Sequence, residues 1–572
     1  MPHRSHLLSL RFAHALRERL AEGYGRQDAW KDLLAGVSVG IIAIPLSMAL
    51  AIASGVAPQY GLYTAIVAGF LIALSGGSRF SISGPTAAFV VILYPIAQAH
   101  GLAGLLVASL MAGAILVLMA FLRLGRLIEY ISESVVLGFT AGIAVVIATL
   151  QIKDCLGLTI PSMPESYLGK VGALLQALPS THWPSLLVAG LCLACMLLWP
   201  RLKTPIPPHL PTVILGSLVA WQLNRHGLAV ETIGSRFSYS LDGLSGHGIP
   251  PTPPEFVWPW HRPGVDGAPL SWSWTLLQDL LPAAFAIAML GAIESLLCAV
   301  VLDGMSGKRH SANSELLGQG IGNLVAPFFG GITATAAIAR SSANLRANAS
   351  SPIAAMIHSL VVLAGVVLLA RALSWLPMPA MAALLLMVAW NMSEAPKVVK
   401  LLRNAPRDDV LVFLTCFSLT VMVDMVVAIT AGILLAALLF MREIAAMTRV
   451  SDISDNARLV KTPLPDGWAV FKINGPLFFA AADRVFGELM PLSEGKRGIV
   501  LYMDGVPILD AGGLAALNRL IEDCRKQGVQ LHIADLQFQP LKTLARAGIT
   551  PQPNVTSYYP TLQEALAALP PG

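Results

Sequence analysis

The stretch Ser81–Val91, SISGPTAAFVV, determines how the rest of the chain is interpreted. A hydroxyl residue, a Gly-Pro break and small residues precede an apolar run, which is how a helix begins. This helix begins inside an apolar region, and its run Thr86–Ile96 is too short to cross a bilayer, which takes roughly 20 residues. The stretch therefore predicts a half-helix that starts within a membrane.

A second stretch of the same kind, Gly330–Ser341 (GGITATAAIARS), lies in the later half of the apolar part. A helix N-terminus leaves backbone N–H groups unpaired and carries roughly half a positive charge. Two such ends that face each other hold an anion without fixed cations. We therefore expect one buried anion site between the two half-helices. The alternative for either stretch is that its small residues only permit close helix packing.

The composition places most of the chain in lipid. Of the 572 residues, 55% are hydrophobic and 12% are charged, whereas a soluble domain carries roughly 25% charged residues. The pI near 8.9 does not indicate nucleic-acid binding, because the basic residues lie in short flanks between apolar runs. Cys192 and Cys195 form a C-x-x-C within an apolar helix, without a second pair nearby, which favours ordinary helix residues over a metal site. We expect no cofactor and no metal.

The apolar runs predict seven membrane segments, an interval and seven more segments. Residues 1–31 are polar and basic, with no cleavable signal peptide, and are expected to form a cytoplasmic amphipathic N-terminus. The transport domain is expected over 32–447, with repeats at about 32–223 and 277–447 around an outer loop at 224–276. The segments lie near residues 33–53, 60–76, 84–97, 103–121, 131–151, 184–200, 209–223, 277–302, 315–329, 334–347, 353–370, 377–392, 409–425 and 427–446.

The basic residues of the short connections predict the orientation. Alternate connections hold nearly all of them, and by the positive-inside rule these connections face the cytoplasm. They include Arg79, Arg123, Arg201, Lys308, Arg346 and Lys397. An even number of spans returns the C-terminal tail to the cytoplasm. We expect Asp424 near the outer surface, and we expect an aromatic group at the outer interface that consists of Trp258, Trp260, Trp272 and Trp274.

The C-terminal tail differs from the rest of the chain. Residues 458–572 alternate short β-type runs with helical runs, which predicts a small soluble α/β domain. The expected strands are Ala469–Ile473, Gly498–Met503 and Gln530–Ala534. The expected helices are Ala482–Met490, Gly513–Gln527 and Pro540–Ala547.

Several motifs, in order along the chain, resemble the SulP anion-transporter family. They are GVAPQYGLYTA at 55–65, GGSRFSISGPTAAF at 76–89, GAIESLL at 291–297 and ATAAIARS at 334–341, and DGVPILDAGGLAAL at 504–517 resembles the STAS domain that usually follows. The resemblance implies fourteen membrane segments as an inverted repeat, a core domain that moves against a gate domain, and a homodimer in a bacterial inner membrane. Within the family, GGSRFSISGPTAAFVVILYP and LLLMVAWNMSEA are most similar to aerobic transporters of four-carbon dicarboxylates.

The resemblance places the substrate between the third and tenth segments, which hold the two half-helix stretches. There the free donors would be backbone groups and threonine hydroxyls. The expected substrate-binding residues are Ser83, Gly84, Pro85, Thr86, Ala87, Ala88, Thr335, Ala336, Ala337 and Arg340. Two roles for Arg340 stay open. It faces a second carboxylate of the substrate or completes the charge balance of the site, or it marks the cytoplasmic end of its helix.

Glu294 is the candidate proton carrier. It is the one charged residue between Asp279 and Asp303, and a carboxylate within lipid is costly and usually functional. By family position it matches the acidic residue of the eighth segment, beside the substrate, and a Glu there fits proton coupling. The alternative is a carboxyl group that is kept neutral for structural reasons.

The STAS-like tail lacks one functional group of its signalling relatives. Those relatives carry a phosphorylatable Ser or Thr after the Asp of a loop that here reads Asp510-Ala511-Gly512-Gly513. Ala511 cannot be phosphorylated. The tail is therefore expected to support folding, assembly or binding of a cytoplasmic protein.

The residues predict a secondary active transporter of anions, and the resemblance implies uptake of four-carbon dicarboxylates such as succinate, fumarate or aspartate with protons. Bicarbonate or sulfate transport, coupled to protons or sodium, is the alternative within the same class. A membrane-anchored sensor that signals through the STAS domain is the alternative from another class. The sequence contains no nucleophile–base arrangement or phosphate loop, so we do not expect an enzyme.

Overall fold

The structure is a computed structural model that describes residues 10–125, 131–164, 166–202, 204, 206–241, 244–271, 273–423 and 425–570. Asp424 and Trp272, two residues with expected positions, lie outside the described residues, as does the first part of the predicted N-terminus. The chain forms two compact units, Met1–Ile433 and Leu434–Gly572.

Helices dominate the chain up to Met447. They are α1 (His14–Ala21), α2 (Arg26–Ala53), α3 (Pro58–Ser75), α4 (Ala87–Phe121), α5 (Glu133–Leu156), α6 (Tyr167–Ala177), α7 (Trp183–Leu198), α8 (His209–Arg225), α9 (Ile233–Arg236), α10 (Trp274–Ser306), α11 (Ala312–Val325), α12 (Ile338–Arg346), α13 (Ile353–Leu373), α14 (Met378–Met392), α15 (Ala395–Asn404), α16 (Arg407–Met422) and α17 (Met425–Met447). Nine helical stretches of the described residues are long and apolar enough to cross a membrane. The count of fourteen segments stays a prediction.

Four short strands accompany these helices. They are β1 (Ser83–Gly84), β2 (Ser238–Leu241), β3 (Leu244–His247) and β4 (Thr335–Ala336). Strands β2 and β3 form an antiparallel hairpin in the 224–276 loop. Strands β1 and β4 pair with each other in the interior, directly before the helices α4 and α12. The sequence does not predict α6, α15 or the β2–β3 hairpin.

Helix α4 contains a break that separates two apolar runs. Gly101 has φ 67°, outside helical geometry, so the run that starts at Ala87 ends before Gly101 and a second run continues to Phe121. A Cβ on Gly101 would lie 2.5 Å from the backbone of Gly264, so only glycine fits this turn. The sequence predicts the same division, with a connection at 97–102.

Close helix packing gives the first unit its core. A Cβ on Gly61 of α3 would lie 2.0 Å from the carbonyl oxygen of Ser47 in α2, and a Cβ on Gly36 of α2 would lie 2.5 Å from the carbonyl oxygen of Ala354 in α13. Glycine at these positions lets the backbones approach closely, as in other membrane helices. Helices α2, α3 and α13 thereby surround the β1 side of the interior.

The N-terminal segment is attached to the ends of these helices by backbone and ionic contacts. The Ala13 N–H donates to the carbonyl oxygen of Ser75 at 3.0 Å. Arg79 donates to both carboxylate oxygens of Glu22, at 2.7 and 2.6 Å, and lies 3.2 Å from Glu18. Hydrogen bonds from the Arg79 guanidinium lower the pKa of Glu22 to about 2. The segment is therefore folded against the loop that leads into β1.

The second unit ends in a five-stranded sheet. Its strands, in spatial and chain order, are β5 (Arg449–Asp452), β6 (Trp468–Asn474), β7 (Gly498–Gly505), β8 (Gln530–Ala534) and β9 (Thr556–Tyr559). The β5–β6 pair is antiparallel and the other pairs are parallel. The helices are α18 (Ala482–Ser493), α19 (Ala511–Gln527), α20 (Phe538–Arg546) and α21 (Leu562–Ala567).

The sheet begins at Arg449, ahead of the soluble domain predicted from residue 458. Strand β5 is mostly exposed and has no apolar run, so nothing in its composition indicates a strand. Its backbone pairing with β6 decides its conformation. The three predicted strands and three predicted helices are present with shifts of a few residues at their ends. The sequence does not predict β9 and α21.

Candidate functional site

Strands β1 and β4 bring the two half-helix stretches together. Ser83 lies opposite Ala336 and Gly84 opposite Thr335 in an antiparallel pair. The Ala337 N–H donates to the carbonyl oxygen of Ile82 at 3.0 Å and extends this ladder. Two segments that are far apart in sequence thus cross at one buried point. We refer to this pair of strands, with the first turns of α4 and α12, as the crossing.

The first turn of α4 has no side-chain cap. Thr86 is the residue before the helix, but its hydroxyl donates to Oε2 of Glu294 at 3.1 Å instead of capping the helix. The N–H groups of Ala87, Ala88 and Phe89 come at the start of the helix, where backbone donors lack intrahelical partners. These donors are therefore uncapped, and the Glu294 carboxyl group lies beside them.

The second half-helix begins four residues after the start of its predicted segment near 334–347. Helix α12 starts at Ile338, and Ala337 precedes it with no side-chain cap. Because the Ala337 N–H bonds to Ile82, it is not a free donor, in contrast to the expectation from the sequence. The free N–H groups at this end belong to the first turn, which begins with Ile338. The ladder register, which sequence spacing does not reveal, sets this shift.

Arg340 lies in the crossing and not at an exposed end of α12. It is 3% exposed, and its Nη2 donates to the carbonyl oxygen of Pro85 at 2.6 Å. A Cβ on Gly84 would lie 3.0 Å from Nη1. Within the described residues, Arg340 Nε and Nη1 are buried without hydrogen-bond partners. This burial does not fit a residue that marks the cytoplasmic end of its helix, and contact of Arg340 with the substrate stays a prediction.

Thr335 and Glu294, which the sequence predicts for the site, are brought to the crossing by contacts of helix α10. The Thr335 hydroxyl donates to the carbonyl oxygen of Gly291 at 3.0 Å, so it holds α10 against β4. The hydroxyls of Thr335 and Thr86 both donate within the protein, so they are not the free donors that the sequence predicts. Gly291 lies three positions before Glu294 on the same helix, and its ideal Cβ position is 3.4 Å from Phe89 of α4. Helix α10 thereby carries Glu294 to the start of α4.

A buried polar network holds the crossing in place, and the sequence does not predict it. Oε2 of Glu315 accepts from the N–H groups of Gly77 and Ser78 at 3.0 and 2.9 Å. Gln319 Nε2 donates to Ser83 Oγ at 3.1 Å and to Glu315 Oε1 at 3.0 Å. This network fixes the loop before β1 and β1 itself.

The same helix also holds β4. Asn323 of α11 donates to the carbonyl oxygen of Ala334 and accepts from the Ala334 N–H, both at 2.8 Å. Glu315, Gln319 and Asn323 are spaced four residues apart and so lie on one face of α11. This polar stripe in an otherwise apolar segment is the signal that would have identified the network.

The crossing combines donors for an anion with one acidic group. The donors are the uncapped first turns of two helices and the unpartnered nitrogens of Arg340, and the acidic group is Glu294. A buried guanidinium with unsatisfied N–H groups is costly, so an anion that bonds to it is stabilised. The described residues contain no cluster of His, Cys, Asp and Glu that could hold a metal.

Comparison with known proteins identifies the family. Residues 30–416 match the sequence profile of the sulfate permease family. The chain belongs to the sulfate permease family. Residues 460–565 match the STAS domain. The protein is therefore an anion transporter with helices in the membrane and a C-terminal STAS domain.

Among relatives of this sulfate permease family member, YvdB of Bacillus subtilis is 37% identical over 92% of this chain and 95% of its own length. YvdB is described provisionally as a sulfate transporter. The bicarbonate transporter BicA of Picosynechococcus is 26% identical over 90% of each chain. Both relatives span the membrane part and the tail.

Two solved structures share the fold. SLC26A9 covers 96% of this chain, and the chain covers 91% of it, with a TM-score of 0.81 at 19% identity. The transmembrane domain of a cyanobacterial BicA covers 71% of this chain, and the chain covers 98% of it, with a TM-score of 0.60 at 26% identity. The membrane helices and the tail thus have the architecture of that transporter fold.

Proposed function

We propose that this protein takes up four-carbon dicarboxylates such as succinate, fumarate or aspartate together with protons. It acts in a bacterial inner membrane by alternating access, with its N-terminus and STAS domain in the cytoplasm, and it works as a homodimer. The single observation that carries the proposal is the buried Arg340. Its Nη2 bond to Pro85 places the guanidinium beside the start of α4, while Nε and Nη1 have no partners in the described residues.

The crossing offers two separate sets of donors, which fits an anion with two carboxylates. One carboxylate bonds to the backbone N–H groups at the start of α4, where the helix dipole adds positive potential. The other bonds to Arg340, whose planar fork matches a carboxylate. Small residues such as Ala87 and Ala88 let the ligand approach the backbone.

The charge of Glu294 would link proton binding to anion binding at this site. Its carboxyl group accepts from the Thr86 hydroxyl next to the first turn of α4. When ionised, it repels an anion at that turn, and its charge opposes that of Arg340. Protonation removes this repulsion, so anion and proton bind together and are released together. This is the electrostatic basis of the proposed coupling.

Sulfate is the second candidate substrate. The likeness to YvdB supports it, because that relative is similar over nearly the whole chain and is described as a sulfate transporter. Sulfate carries two charges on one compact group, so it would bridge the donors at α4 and Arg340 instead of occupying them separately. Bicarbonate has the support of the more distant BicA.

Uptake by purified full-length protein in liposomes tests the proposal. Succinate, aspartate, sulfate and bicarbonate are compared with an imposed pH gradient, acidic outside. We expect uptake of the dicarboxylates that the gradient accelerates. Uptake of sulfate or bicarbonate without any dicarboxylate uptake would overturn the substrate assignment.

Glu294→Gln tests the proton carrier. The amide keeps the shape of the side chain and cannot exchange a proton, so we expect gradient-driven uptake to fall at least tenfold while anion-for-anion exchange continues. Asp279→Asn is the matched control, because Asp279 is exposed on the same helix. If Glu294→Gln still responds to the gradient as the wild type does, Glu294 is not the proton carrier.

A further inference from the structure

A polar cavity lies at the N-terminal end of α3, which begins with Pro58. Its volume is about 230 Å³, and its lining includes Gln59, Tyr60, Tyr63, Glu255 and Arg262, together with part of strand β2. Pockets for drug-sized ligands run from roughly 300 to 1,000 Å³, so this cavity suits a small ligand. None of these residues belongs to the crossing.

The cavity presents one donor and one acceptor that lack partners. Arg262 Nη2 donates to the backbone oxygen of Glu255 at 3.4 Å. Within the described part of the chain, Arg262 Nε and Gln59 Oε1 are buried without hydrogen-bond partners, and Gln59 is 8% exposed. Ala57, which precedes α3 without a side-chain cap, also lines this cavity. A guanidinium favours a negatively charged ligand.

The loop that carries Arg262 is held in place. The Phe256 ring stacks on Phe328 with centroids 5.7 Å apart, and the Val257 N–H donates to the carbonyl oxygen of Phe328 at 2.7 Å. Trp258 and Trp260 stack on each other at 4.9 Å. These contacts fix the loop to the turn that precedes the second half-helix. Arg262 is therefore positioned before any ligand arrives.

Two tyrosines of the cavity lie close to the turn that precedes β4. The Tyr60 and Tyr63 rings meet edge to face at 6.2 Å, and a Cβ on Gly330 would lie 3.2 Å from Tyr60 and 3.4 Å from Tyr63. Further along α3, Ala65 contacts the position of Gly84 in β1. Ala65 lies six positions after Gln59, which is about 9 Å of helix. One helix thus lines both places.

We infer that this cavity is an outer subsite that binds the transported anion before it reaches the crossing. The inference rests on the proposed function, in which this end of α3 faces the outside. Arg262 attracts the anion, and the exposed Glu255 beside it opposes binding and keeps it weak enough for onward movement. Tyr60 and Tyr63 line the subsite and lie against Gly330, which precedes β4 in the chain.

Transport from each side of the membrane tests the subsite. Right-side-out and inside-out membrane vesicles that contain the full chain are compared for half-saturation and maximal rate with succinate and with sulfate. For Arg262→Gln we expect the half-saturating concentration on the outer side to rise about tenfold. The value on the inner side and the maximal rate should stay within twofold, because the crossing is unchanged.

Two further variants keep the test decisive. Arg225→Gln removes a positive charge from an exposed residue that packs on Trp221, and it should leave both half-saturating concentrations unchanged. Glu255→Gln should lower the outer value about threefold, a gain that misfolding cannot produce. An unchanged outer value in Arg262→Gln, or an equal rise in Arg225→Gln, would overturn the subsite. If the wild type transports no anion in either vesicle, the proposed function fails instead.

Discussion

Which role fits Arg340 depends on where its side chain lies in the structure. Its place on the second half-helix is visible in the sequence, but two roles fit that place. In the structure the guanidinium is buried against Pro85 and Gly84 of the other half-helix stretch. This placement depends on the β1–β4 register, because the register determines which residue of α12 faces Pro85. A local pattern contains no such information.

Arg340→Lys and Arg340→Gln separate charge from geometry at this position. Lys keeps the positive charge but not the planar fork, so we expect the half-saturating concentration for succinate to rise ten- to a hundredfold with proton coupling retained. Gln removes the charge and should abolish measurable uptake. Proteoliposome uptake at several succinate concentrations measures both effects.

Arg346→Gln is the control for these variants, because Arg346 is exposed at the end of the same helix. It should transport as the wild type does. Wild-type half-saturation in Arg340→Gln would show that the guanidinium does not contact the substrate.

At the scale of elements, α11 explains why the crossing has a fixed shape. The β1–β4 pair has two residues in each strand, and such a short pair is marginal by itself. Glu315 and Gln319 fix the β1 side, and Asn323 fixes the β4 side. One rigid helix therefore holds both half-helix starts at a constant separation, which a preorganised anion site needs.

Glu315→Gln tests this support. The substitution replaces a charged acceptor of two backbone N–H groups with a neutral one, and hydrogen bonds to charged groups contribute about 1.5–3 kcal/mol. We expect a clear fall in the thermal unfolding temperature and a several-fold rise in the half-saturating concentration for succinate. Thermal unfolding in detergent and liposome uptake measure the two effects.

Glu133→Gln is a suitable comparison for Glu315→Gln, because Glu133 is exposed in the first turn of α5. Its loss should change neither quantity by more than a small amount. Equal stability of the two variants would contradict the supporting role of α11.

At the scale of the whole molecule, the chain has two parts, a membrane part and a STAS domain. The STAS domain has its own core on both faces of the sheet. Asp510 caps α19 by accepting from the Gly513 N–H at 2.8 Å, and its other oxygen accepts from the Phe479 N–H. The loop with Ala511 thus has a structural role. We expect the domain to support the amount or regulation of the transporter, by assembly or by a cytoplasmic partner, and not its specificity.

Two truncations test this division. Removing residues 458–572 leaves strand β5 without its partner β6, and an unpaired strand edge promotes aggregation. Removing residues 449–572 takes away the whole sheet. We expect both truncations to lower the amount of protein in the membrane, the first more than the second. The order of substrate preference in liposomes should be unchanged in both, and a changed order would contradict this assignment.

The sequence alone determined the class of the protein. Its hydropathy, its basic flanks and the half-helix stretches Ser81–Val91 and Gly330–Ser341 predicted a membrane protein with a buried anion site. The resemblance of its motifs implied the SulP family with a STAS domain, and the family match confirms this. Hydropathy, charge pattern and helix starts can be recognised in the sequence because each depends on residues that are neighbours in the chain. The likeness to dicarboxylate transporters stays a prediction, since YvdB and BicA are named for sulfate and bicarbonate.

Only the tertiary structure decided which groups meet. It paired β1 with β4, took the Ala337 N–H into that ladder, buried Arg340 against Pro85 and bonded Thr86 to Glu294. It also revealed the support from α11 and the cavity at Arg262. Each of these contacts joins residues that are far apart in sequence. Their geometry depends on helix packing and strand register, which no local stretch specifies.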